Sequence, residues 1–412
     1  MSSRLLPCCL ALLAAALAGL PSPAAAKPLV LWHAYRAAER TALEATVKRW
    51  NDGARGRDPT IQLLAVPYDA FPDKISAAVP RGHGPDMFIF AHDRVGDWAE
   101  SKIVEPIEFW MTEEHADSFL FKVLDSLCYK DSLFGLPLAF KSVVLYYNKE
   151  LVPTPPRTTD ELIAMGRKLT DRSTGRFGLV YWNTLFYFHS PWHFGFGAKI
   201  FDDKGDLRVR APETERAIAF AKALADKASG IVPPETSSTL TTTLFSQGKA
   251  AMAISGPWML GELPATLKVG IAPLPKINAT GKPAAPLLGA EAIMMSTKST
   301  QKASAFRAMS FLTGTWAATQ RALLARQPVA NVAAWRDARV AGDPVLAAFR
   351  RQLDSTTVTP GTPEMRLVWT PMDMALQKVI GSGAAVPAAV SDAEAELRRY
   401  LQAARNAAQA KR

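Results

Sequence analysis

One stretch sets the fold of this chain: Gly84-Pro85-Asp86-Met87-Phe88-Ile89-Phe90-Ala91-His92-Asp93-Arg94. Its apolar run predicts a buried strand that ends at Phe90 and leads directly to a carboxylate and a guanidinium. In α/β folds, ligands bind at the carboxyl ends of strands. An aromatic face beside such charges suits a sugar, which has apolar C–H faces and a hydroxyl rim. Because an isolated Asp-Arg pair is more often a solvated surface ion pair, the surrounding sequence has to support the site.

Around this stretch, short apolar runs alternate with amphipathic segments, the pattern of βαβ units. Strands are predicted at Leu29 to Trp32, Ile61 to Val66, Asp86 to Phe90, Val143 to Tyr147, Phe177 to Trp182, Ala251 to Ser255, Val269 to Ala272 and Ala290 to Met295. Helices are predicted at Phe71 to Val79, after the capping box Thr158-x-x-Glu161, from Glu213 to Ser229 with Gly230 as the cap, and after a second box, Ser391-x-x-Glu394. Two α/β blocks with a helical tail predict a two-lobed binding protein whose ligand lies between the lobes.

The N-terminus predicts export. Residues 1–26 combine Arg4, an apolar run and three alanines directly before Lys27, which is typical of a signal peptide with an A-x-A cleavage site. Two of the three cysteines lie inside it, so Cys128 alone remains and no internal disulfide is expected. The net charge of +10 is spread along the 412 residues without a long basic run. With export, this distribution argues against nucleic acid as a partner.

Three motifs resemble the maltose/maltodextrin-binding proteins, periplasmic solute receptors of ABC importers: Gly84 to Arg94, Tyr146 to Leu151, and Ala253 to Trp258. The resemblance implies the α/β fold of a type II periplasmic binding protein, with hinge-linked lobes that close on a linear α-glucan and deliver it to a membrane permease. We expect a monomer, with the signal peptide at 1–26, the N-lobe at 27–139 and 288–338, and the C-lobe at 140–287 and 339–412.

The resemblance also implies roles for individual residues. Asp93 and Arg94 match residues that hydrogen-bond sugar hydroxyls, and Asp73 matches an acidic position at the cleft edge. Rings that stack on sugars correspond to Phe90, Tyr187, Trp258 and Trp369. By default, tryptophans such as Trp258 and Trp369 pack within a lobe, and only the resemblance favours the site.

Three departures make the expected cleft less acidic. Lys141 replaces a sugar-binding glutamate, Leu185 replaces another acidic residue, and Tyr35-Arg36-Ala37 replaces an acidic-basic pair. Lys141 is expected to reach a ligand, to pair with Asp93 across the cleft, or to point to solvent. These departures put maltose itself in doubt.

Other functions leave weaker signals. Arg36, Arg94 and Lys141 would suit a receptor for another glycan or for a phosphorylated polyol such as glycerol-3-phosphate. An exported glycoside hydrolase would need two flanking carboxylates, of which Asp93 supplies one. His189-x-x-x-His193 has ligand spacing, but no further metal motif accompanies it and Pro191 interrupts it. Without a Gly-x-Ser-x-Gly, P-loop or GxGxxG motif, we expect neither an enzyme nor a cofactor.

Overall fold

The computed structural model describes residues 27–54, 58–202 and 204–409. The predicted signal peptide and its two cysteines lie outside these residues. The strands are β1 Leu29–His33, β2 Ile61–Ala65, β3 Met87–Ala91, β4 Cys128–Tyr129, β5 Ser132–Leu133, β6 Leu136–Lys141, β7 Val144–Asn148, β8 Phe177–Val180, β9 Ala250–Ser255, β10 Val269–Ala272, β11 Leu287–Met295 and β12 Thr357–Val358.

The α-helices are α1 Ala37–Gly53, α2 Phe71–Ala78, α3 Val95–Glu100, α4 Glu113–Asp117, α5 Phe121–Asp125, α6 Thr159–Leu169, α7 Phe186–Gly195, α8 Pro212–Leu224, α9 Ser238–Ser246, α10 Lys302–Thr313, α11 Thr315–Ala325, α12 Ala338–Ala341, α13 Pro344–Leu353, α14 Trp369–Leu376 and α15 Val386–Gln409. Short 3₁₀ turns include His92–Arg94, Pro257–Glu262 and Pro363–Leu367.

The first sheet has the order β12-β11-β3-β1-β2, with β6 also paired to β11. Strands β1, β2 and β3 are parallel, and Leu31 pairs with both Leu63 and Met87. Strand β11 returns from late in the chain and lies antiparallel between β3 and β6. This return places Glu291 of β11 opposite Ala91 on β3 and Ala139 on β6.

The second sheet has the order β10-β7-β9-β8. Its middle strands β7 and β9 are antiparallel, β10 is antiparallel to β7, and β8 is parallel to β9. The chain passes from the first sheet to the second after β6 and comes back at β11. We call the first sheet with its helices the first lobe, and the second sheet with its helices the second lobe. The predicted type II two-lobed α/β fold is confirmed, whereas the domain limits stay predictions.

Two large apolar cores hold the sheets. The first is centred on residues such as Leu31, Phe88 and Ile293, all at most 1% exposed, and it continues over one face of the second sheet through Tyr146. The second contains Leu179 and covers the other face of that sheet against α7, α8 and α15. Because helices cover both faces of β3, every residue from Met87 to Phe90 is buried.

Two helix boundaries differ from the predictions. The helix predicted to run to Ser229 ends at Leu224, because the Asp226 carboxylate accepts the Ala228 and Ser229 amides and forms a competing turn. The helix predicted to start at Ser391 already begins at Val386, so Ser391 is not its cap. The helix start at Thr158 is confirmed, since its hydroxyl accepts the Glu161 amide at 3.2 Å. The Glu161 carboxylate accepts the Arg157 amide instead of the Thr158 amide that a complete capping box uses.

Cys128 lies exposed on β4, and within the described ranges it is a free thiol. Partial burial raises the pKa of Cys128. Between residues 27 and 409, as far as they are described, no helix is long and apolar enough to cross a bilayer.

Candidate ligand-binding site

Phe90 does not offer a sugar-stacking face, which corrects the prediction. It is 2% exposed, and the rings of Phe71 and Tyr68 both stack on it at centroid distances of 4.8 Å. The reason is the burial of β3 on both sides of its sheet. Tyr68, which follows β2, is 46% exposed and is the aromatic residue that this edge presents.

The Asp93-Arg94 pair lies in the 3₁₀ turn that follows β3. Arg94 Nε is 3.9 Å from Asp93 Oδ2, and both side chains keep about a third of their surface exposed, at 32% and 35%. Asp93 Oδ1 has no hydrogen-bond partner among the described residues. The carboxylate therefore retains capacity to accept a hydrogen bond.

Lys141 pairs with two carboxylates of the first lobe. Its Nζ lies 2.5 Å from Glu291 Oε2 and 3.9 Å from Glu39 Oε1, which corrects the predicted alternatives of pairing with Asp93 or pointing free into solvent. Desolvation disfavours the ammonium, but Glu291 and Glu39 outweigh it and raise the pKa of Lys141. Lys141 is therefore a charged donor whose charge is balanced by neighbouring carboxylates, and it is not an isolated cation.

Glu39 and Gln327 complete this group, which we call the polar cluster: Glu39, Lys141, Glu291 and Gln327. Gln327 Nε2 donates to Glu39 Oε1 at 2.7 Å. Burial raises the pKa of Glu39, Lys141 opposes this shift, and Glu291 adds to it. The polar cluster contributes two carboxylates, Glu39 and Glu291, to a cleft that the sequence predicted to be less acidic.

Sequence reasoning missed Glu39, Glu291, Gln327 and Tyr68. Glu291 left a usable signal, because it is the single charge in the otherwise apolar run Leu287–Met295 and is 6% exposed. A charge inside a buried strand needs a partner. Gln327 and Tyr68 lie in loops and left no comparable signal.

The second lobe presents aromatic rings. Tyr187 lies in the first turn of α7, and its ring centroid lies 6.2 Å from that of Trp258 and 5.5 Å from that of Phe188. Trp258 is 39% exposed. Its ring lies so close to Gly256 that a Cβ there would be 2.1 Å from it, and Tyr146 Oη holds the Gly256 carbonyl at 2.7 Å. The Gly-Pro-Trp turn therefore depends on glycine for close approach.

Trp369 lies at the start of α14, half-buried against the second core, with its ring centroid 6.1 Å from that of Phe186. Asp373 of the same helix accepts the Phe186 amide at 2.6 Å. This bond ties the helix of Trp369 to the helix of Tyr187. Burial raises the pKa of Asp373 to about 6, against the lowering effect of that bond.

The two sets of groups face one another. Burial raises the pKa of Tyr187, and the Lys141 ammonium of the first lobe opposes this shift. Desolvation, then Asp93 and Glu291, raises the pKa of Tyr68 to about 12. Tyr187, Tyr68 and Lys141 are therefore within electrostatic range of one another across the gap between the lobes.

A cavity of about 450 Å³ lies between the lobes beside these groups. Of the predicted site residues, Arg36, Lys141 and Trp258 line it, together with Glu39 and Gln327 of the polar cluster. Arg36 is exposed where α1 begins. A polar wall opposite the ring of Trp258 is suited to hold a hydroxylated ring compound.

Asp73 remains apart from this site. It is exposed in the first turn of α2, and no contact within the described ranges joins it to the polar cluster. Within the same ranges, no group of three or more His, Cys, Asp or Glu side chains could hold a metal ion.

The chain is similar to known solute receptors over most of its length. The maltotriose-binding protein of Pyrococcus abyssi is 27% identical over 380 residues, covering 91% of this chain and 81% of that protein. The galactooligosaccharide-binding protein of Bacillus subtilis is 28% identical, covering 82% of each chain. A solved cyclo/maltodextrin-binding protein in complex with maltotetraose superposes with a TM-score of 0.83 at 25% identity, covering 92% of this chain and 99% of that one.

Residues 37–318 match the family described as bacterial extracellular solute-binding protein. This match spans more than half of the chain and includes the Asp93-Arg94 turn, Lys141, Tyr187 and the Gly-Pro-Trp turn. The chain therefore belongs to the bacterial extracellular solute-binding proteins.

Proposed function

We propose that this protein is the receptor of an ABC sugar importer, exported to the periplasm, and that it binds maltodextrin-like oligosaccharides by closure of its two lobes. The observation that carries the proposal is the polar cluster opposite Tyr187 and Trp258. A ligand that touches both walls binds the closed form better than the open form, and this difference drives closure. The partner that receives the sugar is a membrane permease.

Ring stacking and hydrogen bonds are enough to supply the binding free energy, and no bond of the ligand has to be broken. Micromolar affinity corresponds to about −8 kcal/mol. Each ring that stacks on a sugar contributes about 0.5–1.5 kcal/mol beyond its buried area, and each net hydrogen bond contributes a similar amount. Tyr187, Trp258 and the donors and acceptors of the polar cluster together reach this range. A receptor that only binds its ligand is therefore sufficient for the proposed function, and no enzymatic step is required.

The charge of the site favours a neutral sugar over a phosphorylated polyol. Lys141 is shared between Glu39 and Glu291, so the polar cluster carries one more carboxylate than ammonium. An anion approaching this wall meets Glu39 as well as Arg36, and its attraction is reduced accordingly. The similarity to a galactooligosaccharide-binding protein makes a galactooligosaccharide the second candidate.

Calorimetry with one ligand panel tests the proposal. We expect maltotriose to bind with micromolar or tighter affinity, and its β-linked isomer cellotriose, with the same formula and hydroxyl count, to bind at least about tenfold more weakly. A galactooligosaccharide and glycerol-3-phosphate complete the panel. Heat from glycerol-3-phosphate alone, or from the galactooligosaccharide alone, would replace the maltodextrin assignment. Release of reducing sugar from maltotriose would contradict the receptor role.

A further inference from the structure

His92 lies in the 3₁₀ turn that also carries Asp93 and Arg94, and its side chain is too buried to contact a ligand. It is 1% exposed and directly precedes Asp93. The Ala290 amide donates to His92 Nδ1 at 2.9 Å, and His92 Nε2 lies 2.9 Å from the Thr359 carbonyl oxygen. Because an amide only donates and a carbonyl only accepts, these bonds fix the neutral tautomer with the proton on Nε2.

The bond to Ala290 links two acceptors of the cleft. Ala290 immediately precedes Glu291, and Glu291 pairs in register with Ala91, which immediately precedes His92. One imidazole therefore connects the turn that carries Asp93 to the strand that carries Glu291. The bond from the Ala290 amide to His92 Nδ1 acts together with the β3–β11 pairing to set the spacing of the two residues that carry these carboxylates.

The other ring nitrogen anchors this arrangement to the segment that leads into the second lobe. The segment from Thr359 to Gly361 precedes the 3₁₀ turn Pro363–Leu367 and then Trp369. The Gly96 amide donates to the Gly361 carbonyl at 2.8 Å, and a Cβ on Gly96 would lie 2.4 Å from that oxygen. Arg366 adds an ion pair to Asp97 at 2.5 Å. His92 therefore lies where the elements after β3 pack closely against the segment that leads to Trp369.

We propose that His92 is a positioning residue: through its Nδ1 bond to Ala290 it sets Asp93 and Glu291 at the spacing that an oligosaccharide requires. The inference rests on the proposed function, since it concerns residues assigned to sugar binding. Burial lowers the pKa of His92, with Asp93 opposing the shift. The ring is therefore neutral at pH 7, as the acceptor role of Nδ1 requires.

Two amide variants separate the two bonds. In His92→Asn the side-chain oxygen reaches the place of Nδ1 and keeps an acceptor for Ala290, but the link to Thr359 is lost. In His92→Gln the amide reaches the place of Nε2 and keeps a donor for Thr359, but the Ala290 amide loses its partner. Both variants lose one buried hydrogen bond, so we expect similar falls in Tm. Affinity for maltotriose should stay within about threefold in His92→Asn and fall at least about tenfold in His92→Gln.

Thr313→Val is the matched control, because Thr313 is 1% exposed and its hydroxyl donates to Met309 in α10, away from the cleft. It should lower Tm and leave the affinity unchanged. Equal affinity losses in His92→Asn and His92→Gln, following their Tm values, would overturn the positioning role.

Measurements without ligand keep the inference separate from the proposed function. Imidazole ¹⁵N shifts of the wild-type protein should show His92 with its proton on Nε2, and a proton on Nδ1 would overturn the inference even if His92→Gln failed to fold. Exchange of the Ala290 amide should accelerate in His92→Gln and not in His92→Asn. If the wild type binds no oligosaccharide, the proposed function fails, and these two readouts still decide whether His92 holds β11 in place.

Discussion

The two walls of the site present different kinds of groups to a ligand. The first lobe presents charged groups, with Lys141 between Glu39 and Glu291. The second lobe presents the rings of Tyr187 and Trp258, and in its core His189 and His193 have no hydrogen-bond partner within the described part of the chain. Charges orient a ligand through directional bonds, whereas rings gain free energy from contact area. From this comparison we expect the first lobe to select the ligand and the second lobe to supply most of the affinity.

Of the effects that test this comparison, we expect the largest to be a loss of stability of the second lobe in acid. His189 and His193 are fully buried in α7, and their nitrogens have no partner among the described residues. Burial lowers the pKa of each to about 3. A histidine whose folded-state pKa lies below its unfolded value of about 6.5 loses stability as pH falls through 6.5.

Between pH 8 and pH 5 these two histidines cost about 4 kcal/mol, and Asp373, whose pKa is raised to about 6, returns about 1 kcal/mol. These three groups alone predict a loss of roughly 3 kcal/mol in urea unfolding between the two pH values. The lowered pKa values of His33, His92 and His115 add to this loss, and the raised pKa of Glu39 opposes it. The double variant His189→Gln, His193→Gln should therefore reduce the pH dependence without abolishing it. An equally steep dependence in the double variant would place the acid sensitivity elsewhere.

The next effect tests the polar wall. Lys141→Gln leaves Glu291, only 6% exposed, without its counter-ion. Breaking a buried pair costs about 3–5 kcal/mol, and the partial exposure of Lys141 reduces this to roughly 2 kcal/mol. Loss of the ammonium also raises the pKa of Glu39 further above its usual value, since Lys141 is what lowers it.

A carboxyl with a raised folded-state pKa destabilises the protein as pH rises through that pKa. The deficit of Lys141→Gln should therefore be larger at pH 7 than at pH 5, as measured by urea unfolding, and Lys141→Arg should recover most of it. Equal deficits at both pH values would mean that Glu39 does not depend on Lys141.

The third effect concerns the aromatic wall. Trp258→Ala removes a ring that is 39% exposed, so folding should change little, while calorimetry should show at least about tenfold weaker binding of maltotriose. Trp110→Ala is the control, because Trp110 is half-buried against Phe306 in the first lobe. If both variants bind like the wild type, the second lobe does not supply the affinity.

The smallest effect tests how the ring of Trp258 is placed. Gly256→Ala puts a methyl group where the indole now lies, and the ring has to move. We expect about three- to fivefold weaker binding and about 1 kcal/mol lower stability, by calorimetry and urea unfolding. Gly53→Ala, where a Cβ meets nothing within 4 Å, should change neither quantity. Wild-type affinity in Gly256→Ala would show that the ring position is not tightly specified.

Eight of the twelve strands in the described residues were predicted from the sequence, because each is a short apolar run whose burial is a local property of the pattern. Strands β4, β5, β6 and β12 were not predicted. Helix ends were less predictable where a side chain offered the backbone another partner, as Asp226 does after α8. In both lobes the order of the elements, and hence the fold, followed from the alternation of strands and helices together with the resemblance.

The site was predictable only in part, because its contacts join residues distant in the chain. Phe90 was expected to be exposed, but Phe71 and Tyr68 cover it. Lys141 meets Glu291 only because β11 returns to lie between β3 and β6. No local pattern encodes that return, so the partner of Lys141 could not be read from the sequence.

The thiol of Cys128 gives this receptor a built-in attachment point for a fluorescent dye. The neighbouring Tyr129 packs against Gly96 at the joint between the Asp93 turn and the segment ahead of Trp369. A maleimide fluorophore on Cys128 would therefore lie beside this joint. Because the thiol pKa is raised, coupling proceeds slowly near neutral pH and faster in mild alkali, where the thiolate is populated.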